Sequence, residues 1–166
     1  VSAGAFFQTN RFLIDELVRT AVDGQNGGVA LDLYAGVGLF SAALAGSFAQ
    51  VIGVEASPTS AGDLAYNSPA NVESVRATTE EFLRSRKELK PELVVVDPPR
   101  AGLGESVAGE LAKLRPARLV YVSCDPATLS RDLTGLLKAG YKIAQAHLID
   151  LFPQTFHVES VFQLIQ

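Results

Sequence analysis

The chain has no methionine, no tryptophan, two histidines and one cysteine, Cys124. One cysteine excludes an internal disulfide. No apolar run approaches the roughly 18 residues of a membrane-spanning helix, and no opening stretch has the pattern of a signal peptide. Together these absences predict a cytoplasmic protein. Basic residues are not in excess: 14 Lys and Arg stand against 18 Asp and Glu, a net charge of −4. A domain that grips phosphates unaided is usually basic, so a nucleic-acid substrate would need much of its grip from elsewhere. A chain that starts at Val1 and lacks methionine predicts a piece of a longer protein, with a further N-terminal region. No repeat or low-complexity segment interrupts it, and no metal site is expected. What is present is enough for one domain with a substantial core: 166 residues, 48% of them hydrophobic.

Strand-like and helix-like patterns alternate, which predicts a doubly wound α/β domain with a mostly parallel sheet and helices on both faces. Helical spacing of Phe12, Leu13, Leu17, Val18 and Ala21 predicts a helix over 11–22. Further helices are expected over 40–49, 56–66, 79–86, 105–114 and 127–138, the last stopped by Gly140. Strands are expected over 29–34, 51–55, 72–76, 93–96, 119–123, 141–148 and 158–165. Seven strands fit a seven-stranded sheet better than a six-stranded dinucleotide fold.

Asp32-Leu33-Tyr34-Ala35-Gly36-Val37-Gly38 joins a strand to a helix. Glycines there let backbone approach a ligand closely, and the helix start offers free N–H groups. Glu55 ends the next strand, 17 residues after Gly38, where a carboxylate accepts hydrogen bonds from both hydroxyls of a ribose. The alternative is a tight turn and a solvated acid. A dinucleotide fingerprint needs a third small residue, and Ser41 does not decide the matter. Nothing resembles a pyrophosphate or 2′-phosphate clamp. S-adenosylmethionine (SAM) has a ribose and no phosphate, and Asp32 and Asp97 at strand ends can hold its amino-acid part. Turn and acid alone leave NAD as a rival.

Asp97-Pro98-Pro99-Arg100 closes the fourth strand, stiffened by two prolines that remove two donors. Its alternative is a structural turn with an exposed Arg100. Cys124 follows an apolar strand and precedes Pro126 and a helix start, a place that favours a thiolate. Asp125 pushes the other way, and a free cysteine is more often a small buried hydrophobe. In the C-terminal loop, Glu159 opens the last strand where the pattern turns apolar. A partly buried carboxylate there has a raised pKa and exchanges protons near neutrality. His157 and His147 are expected to be a loop and a structural residue.

These residues together form a recognisable set. The chain resembles the catalytic domain of the SAM-dependent RNA uracil-C5 methyltransferases, which make 5-methyluridine in tRNA and rRNA. The resemblance runs from Phe6-Phe7-Gln8-Thr9-Asn10 through the segment 31–41, Val54-Glu55, Asp97–Arg100 and Ser123–Leu129 to Phe152-Pro153 and His157-Val158-Glu159-Ser160. An Asp/Asn-Pro-Pro loop is also widespread among methyltransferases acting on nucleic-acid bases. Any one motif is weak, but all occur in order, with Cys124 and Glu159 35 residues apart. The resemblance implies a class I Rossmann-like fold. It implies SAM contacts at Gln8, Tyr34, Glu55 and Asp97 above the Gly36–Gly38 turn. It implies Cys124 as nucleophile, Glu159 as the base for the C5 proton, and Phe6 or Phe7 near the RNA base; Arg100 is expected to contact the substrate as well.

Two departures stand out. Where the family commonly has Asn after the nucleophile, this chain has Asp125. The N-terminal RNA-binding barrel and central region of full-length members are absent, and one cysteine cannot hold a four-cysteine cluster. Rival readings are a cytosine-C5 or exocyclic-amine methyltransferase, a cofactor-binding fragment without activity, and, from another class, an NAD-dependent oxidoreductase.

Overall fold

Parallel strands buried on both faces need unbroken apolar runs, and Leu93-Val94-Val95-Val96 supplies one, buried at every residue. The computed structural model describes residues 1–3, 10, 12–151, 153–155 and 158–166. In chain order the elements are α1 (Ile14–Val22), β1 (Gly27–Leu33), α2 (Leu39–Leu44), β2 (Phe48–Glu55), α3 (Pro58–Asn67), β3 (Val72–Arg76), α4 (Thr79–Ser85) and β4 (Leu93–Val96). They continue as α5 (Gly104–Leu114), β5 (Arg118–Ser123), α6 (Pro126–Lys138), β6 (Lys142–Ile149) and β7 (Glu159–Ile165).

The strands form one seven-stranded sheet in the order β3-β2-β1-β4-β5-β7-β6. The first five are parallel, and β7 runs antiparallel to both of its neighbours. Alternation along the strands divides the core into two layers. Leu33, Val94, Val96 and Tyr121 pack with Phe82 of α4, Leu111 of α5 and Leu133 of α6. Val51, Val95 and Val122 face the other way, against Leu17 of α1 and Phe40 and Leu44 of α2. The expected doubly wound seven-stranded sheet is therefore present. Among the described residues no helix is long and apolar enough to cross a membrane.

The differences from expectation have local causes. The helix expected over 40–49 stops at Leu44, and Phe48 and Ala49 begin β2. A turn at Gly46 and Ser47 releases Phe48 to pair with Gly27 and bury its ring against α2. β1 starts two residues early because Gly27 pairs in the sheet and Gly28 N–H is held at 2.9 Å by the Glu92 carboxylate. α1 begins three residues late, at Ile14, with no side chain capping its start. Strand order changes direction between β1 and β4, which opens a crevice at their carboxyl ends.

Candidate active site

The turn after β1 occupies that crevice. Tyr34, Gly36 and Gly38 all have positive φ (64°, 56° and 96°), so three left-handed residues crowd into five positions. Gly38 is favoured on two counts: its φ, and a Cβ that would lie 2.9 Å from Leu64 Cδ1, which would have to shift. A Cβ on Gly36 would meet nothing within 4 Å, so the upper surface of the turn is open. Glu55 is fixed beneath it. Its Oε2 accepts from Gly36 N–H at 2.9 Å and its Oε1 from Ser57 N–H at 2.7 Å. Each oxygen retains a second acceptor position for a hydroxyl group.

Asp32 lies lower, with no exposed surface. Its Oδ2 accepts from Ser41 Oγ at 2.6 Å, while its Oδ1 is buried without a partner among the described residues. Burial, opposed by the Ser41 bonds and reinforced by the Glu55 charge, pushes its pKa up to about 7. Tyr34 turns its ring toward the α4 side of the sheet. Its hydroxyl bonds Thr79, and burial raises its pKa.

Asp97 directly follows β4, its N–H 3.4 Å from the Leu33 carbonyl that precedes this turn. Burial, then the charges of Glu159 and Asp32, hold its carboxyl well above the ordinary range. The loop that follows is clamped onto α6. Thr128 Oγ1 donates to the Arg100 carbonyl at 3.0 Å and Arg131 Nη2 to the Ala101 carbonyl at 2.8 Å. The Asp132 carboxylate accepts from Leu103 N–H at 2.6 Å. Asp125 caps the same helix, accepting from Ala127 and Thr128 N–H at 3.0 and 2.9 Å. That cap explains how Asp serves where Asn is commoner: either accepts at a helix start.

Cys124 follows β5 and is partly buried. Antiparallel pairing sets Ser123 opposite Ser160, the last pair of that ladder, and Cys124 and Glu159 each lie one residue beyond it at the same end. Glu159 is 2% exposed, and burial pushes its pKa up to about 7. The thiol is raised by burial and by the charges of Glu159 and Asp97, against a hydrogen bond and the positive charge of Arg100.

Thus Asp32, Glu55, Asp97, Arg100, Cys124 and Glu159 are gathered along one edge of the sheet from five separate strand ends. Phe6, Phe7, Gln8 and His157 lie outside the described residues. His147 is exposed on the edge strand β6, bonded to Gln145. Ser41 and Asp132 escaped the sequence reading as partners of the site. A mid-helix Arg-Asp pair has the pattern of a solvated face, and only packing shows that Asp132 is buried. Among the described residues no cluster of His, Cys, Asp and Glu has the arrangement of a metal site.

Comparison with known proteins shows the family of the chain. The family model described as tRNA (uracil-5-)-methyltransferase matches residues 1–166. The chain belongs to that family. It is 40% identical to an uncharacterized RNA methyltransferase of Thermotoga maritima, over 98% of this chain and 38% of the relative. A Streptomyces avermitilis RNA methyltransferase, also uncharacterized, is 38% identical over 97% of this chain and 39% of its own length. Among solved structures, the Pyrococcus abyssi tRNA (uracil-54, C5)-methyltransferase, in complex with S-adenosyl-L-homocysteine, superposes with a TM-score of 0.83. It is 34% identical, over 98% of this chain and 40% of that one. The chain therefore spans about two fifths of the length of the relatives it matches.

Proposed function

We propose that this chain is the catalytic domain of a SAM-dependent RNA methyltransferase that acts on C5 of a uridine in tRNA or rRNA. The observation that carries the reading is that Cys124 and Glu159 lie at the same end of the β5–β7 ladder, one residue beyond its Ser123–Ser160 pair, with Arg100 bonded to the thiol and the Glu159 charge acting on it. The donor set of the crevice fits SAM: Glu55 offers carboxylate oxygens at the turn, Gly36 leaves open space above it, and a buried Asp32 oxygen awaits a donor. Asp97 supplies an acid at the neighbouring strand end for an ammonium group. Gln8, Tyr34, Phe6 and Phe7 are assigned by resemblance to the cofactor and the base.

When bound, SAM supplies an electrophilic methyl group. C5 of uracil is a weak nucleophile, and the residues of this chain correct that. The Cys124 thiolate adds to C6, forming an S–C6 bond and moving electron density to C5. Once C5 carries the methyl group, Glu159 takes the C5 proton. The S–C6 bond then breaks, restoring the C5=C6 double bond and the thiolate. A carboxyl poised near pH 7 can accept that proton and release it to solvent. The uridine must leave its stack to reach both groups. With a net charge of −4, the domain gains its RNA affinity from the remainder of a longer protein, acting in the cytoplasm.

Intact-mass analysis after incubation with SAM and RNA containing 5-fluorouridine tests the reading. Fluorine cannot leave C5 as a proton, so a covalent RNA adduct mapped to Cys124 is expected, and Cys124→Ala removes it. Failure to trap in both this domain and the longer protein, with SAM bound, would overturn the C5 assignment.

A further inference from the structure

Beneath the loop that carries Arg100, a polar group sits where a helix would ordinarily present a hydrocarbon. Asp132 lies mid-way along α6, on the face packed against the sheet, and is 3% exposed. Its Oδ2 accepts from Leu103 N–H at 2.6 Å and from the Tyr121 hydroxyl at 2.8 Å. Its Oδ1 accepts from Arg131 Nε at 2.9 Å, and Arg131 Nη2 reaches on to the Ala101 carbonyl at 2.8 Å. Gly102, between those two anchored residues, has φ +75°, and a Cβ there would overlap Asp132 Oδ2. The backbone of residues 101–103 is thus shaped to the Arg131–Asp132 pair from three directions.

A buried carboxylate is costly unless it is paired, and a leucine would satisfy the core at lower cost. What the pair adds is a fixed loop. Arg100 precedes Ala101 directly, its own carbonyl is held by Thr128, and its guanidinium bonds the Cys124 thiol. We propose that Asp132 is a positioning residue: with Arg131 it locks the backbone of residues 101–103 and so holds Arg100 against Cys124. The inference rests on the reading of Cys124 as the reacting group, but its test reads the thiol directly and needs neither RNA nor methyl transfer.

The charged groups around the thiol are Arg100 from the loop, Asp97 from β4, Glu159 from β7 and the adjacent Asp125, whose carboxylate is engaged by α6. Those around Asp132 are Arg131, Tyr121 and Tyr34. Removing the negative charge of Asp132 would by itself ease ionisation of any nearby thiol. Displacing Arg100 does the opposite. The two roles therefore predict opposite signs.

Cys124 is the only cysteine, so its alkylation by iodoacetamide can be followed by intact mass across the alkaline range. Alkylation rate follows the thiolate fraction. In Asp132→Asn the titration midpoint should move upward, and the rate near pH 8 should fall by about tenfold, the scale of losing one adjacent opposite charge. Arg100→Gln should give the same shift, and the double variant no more than either alone. Tyr121→Phe removes a hydroxyl bonded to Asp132 and to Leu103 N–H but keeps the Asp132 carboxylate with its bonds to Leu103 and Arg131, so it should lower Tm and move the midpoint less than Asp132→Asn does. If Asp132→Asn does not fold, Gly102→Ala displaces the loop from its other side and should raise the midpoint likewise. A folded Asp132→Asn protein with an unmoved or lowered midpoint would overturn the proposal. So would a shift that adds in full to that of Arg100→Gln.

Discussion

Replacing Glu159 by glutamine should leave the protein more stable than its parent in alkaline solution, although it removes the proposed base. Glu159 is 2% exposed, and its pKa rises from 4.5 to about 7 on burial. A carboxyl with a raised folded-state pKa prefers its neutral form. Its stabilising contribution is complete below the unfolded pKa and is lost as pH climbs through the folded one. The shift, from 4.5 to about 7, corresponds to about 3 kcal/mol lost across that window. Glutamine keeps the shape and has no proton to lose. The Glu159 charge also helps to raise Asp97, so its removal relieves a second carboxyl in the same direction.

Urea unfolding of both proteins at about pH 5.5, 7 and 8.5 measures the effect. Any constant cost of seating the amide cancels, because the readout is the change with pH. The two stabilities should diverge as pH rises, with the variant gaining about 2–3 kcal/mol relative to the parent between the extremes. Parallel pH dependences would refute the claim that Glu159 is buried without a compensating cation.

Two further outcomes follow from the crevice. Gly38→Ala should cost about 1–2 kcal/mol or more, from a left-handed residue plus contact with Leu64, whereas Gly36→Ala adds strain without a clash. Thermal melts should rank them in that order, and SAM titration should show the larger loss of affinity relative to stability for Gly36→Ala. Ser41→Ala removes the side-chain bond to Asp32 Oδ2 and leaves this buried carboxyl with the Ser41 backbone bond only among the described residues. It should cost about 1–3 kcal/mol by urea unfolding at pH 8 and less at pH 5, where Asp32 is neutral.

Much of this was legible in the sequence because the fold uses local signals consistently. β3 and β4 have the expected bounds, and α6 starts where Asp125 and Pro126 mark a cap and first turn. The segments that shifted were those where distant partners decide. Gly27 and Gly28 have the composition of a turn, yet Glu92, far along the chain, draws them into β1. Ala45-Gly46-Ser47 does not announce where a helix yields to a strand, and the burial of Phe48 settles it. At the site, Cys124 and Glu159 stood out by residue type and placement, and the β5–β7 ladder brings both to one end, just beyond the Ser123–Ser160 pair. Asp132 did not, because burial of a carboxylate on an amphipathic helix depends on which loop lies over it.

The antiparallel insertion of β7 between β5 and β6 bears on how the protein can diverge. Glu159 is the first residue of β7, so its side of the sheet is set by strand register and not by the folding of a loop. A one-residue deletion within β7 would turn the carboxylate to the opposite side of the sheet. Residues added between Ile149 and Glu159 would leave that register untouched. Descendants of this domain are thus free to lengthen the connection ahead of β7, where new substrate contacts can arise, but are bound to keep the count of residues inside the strand itself.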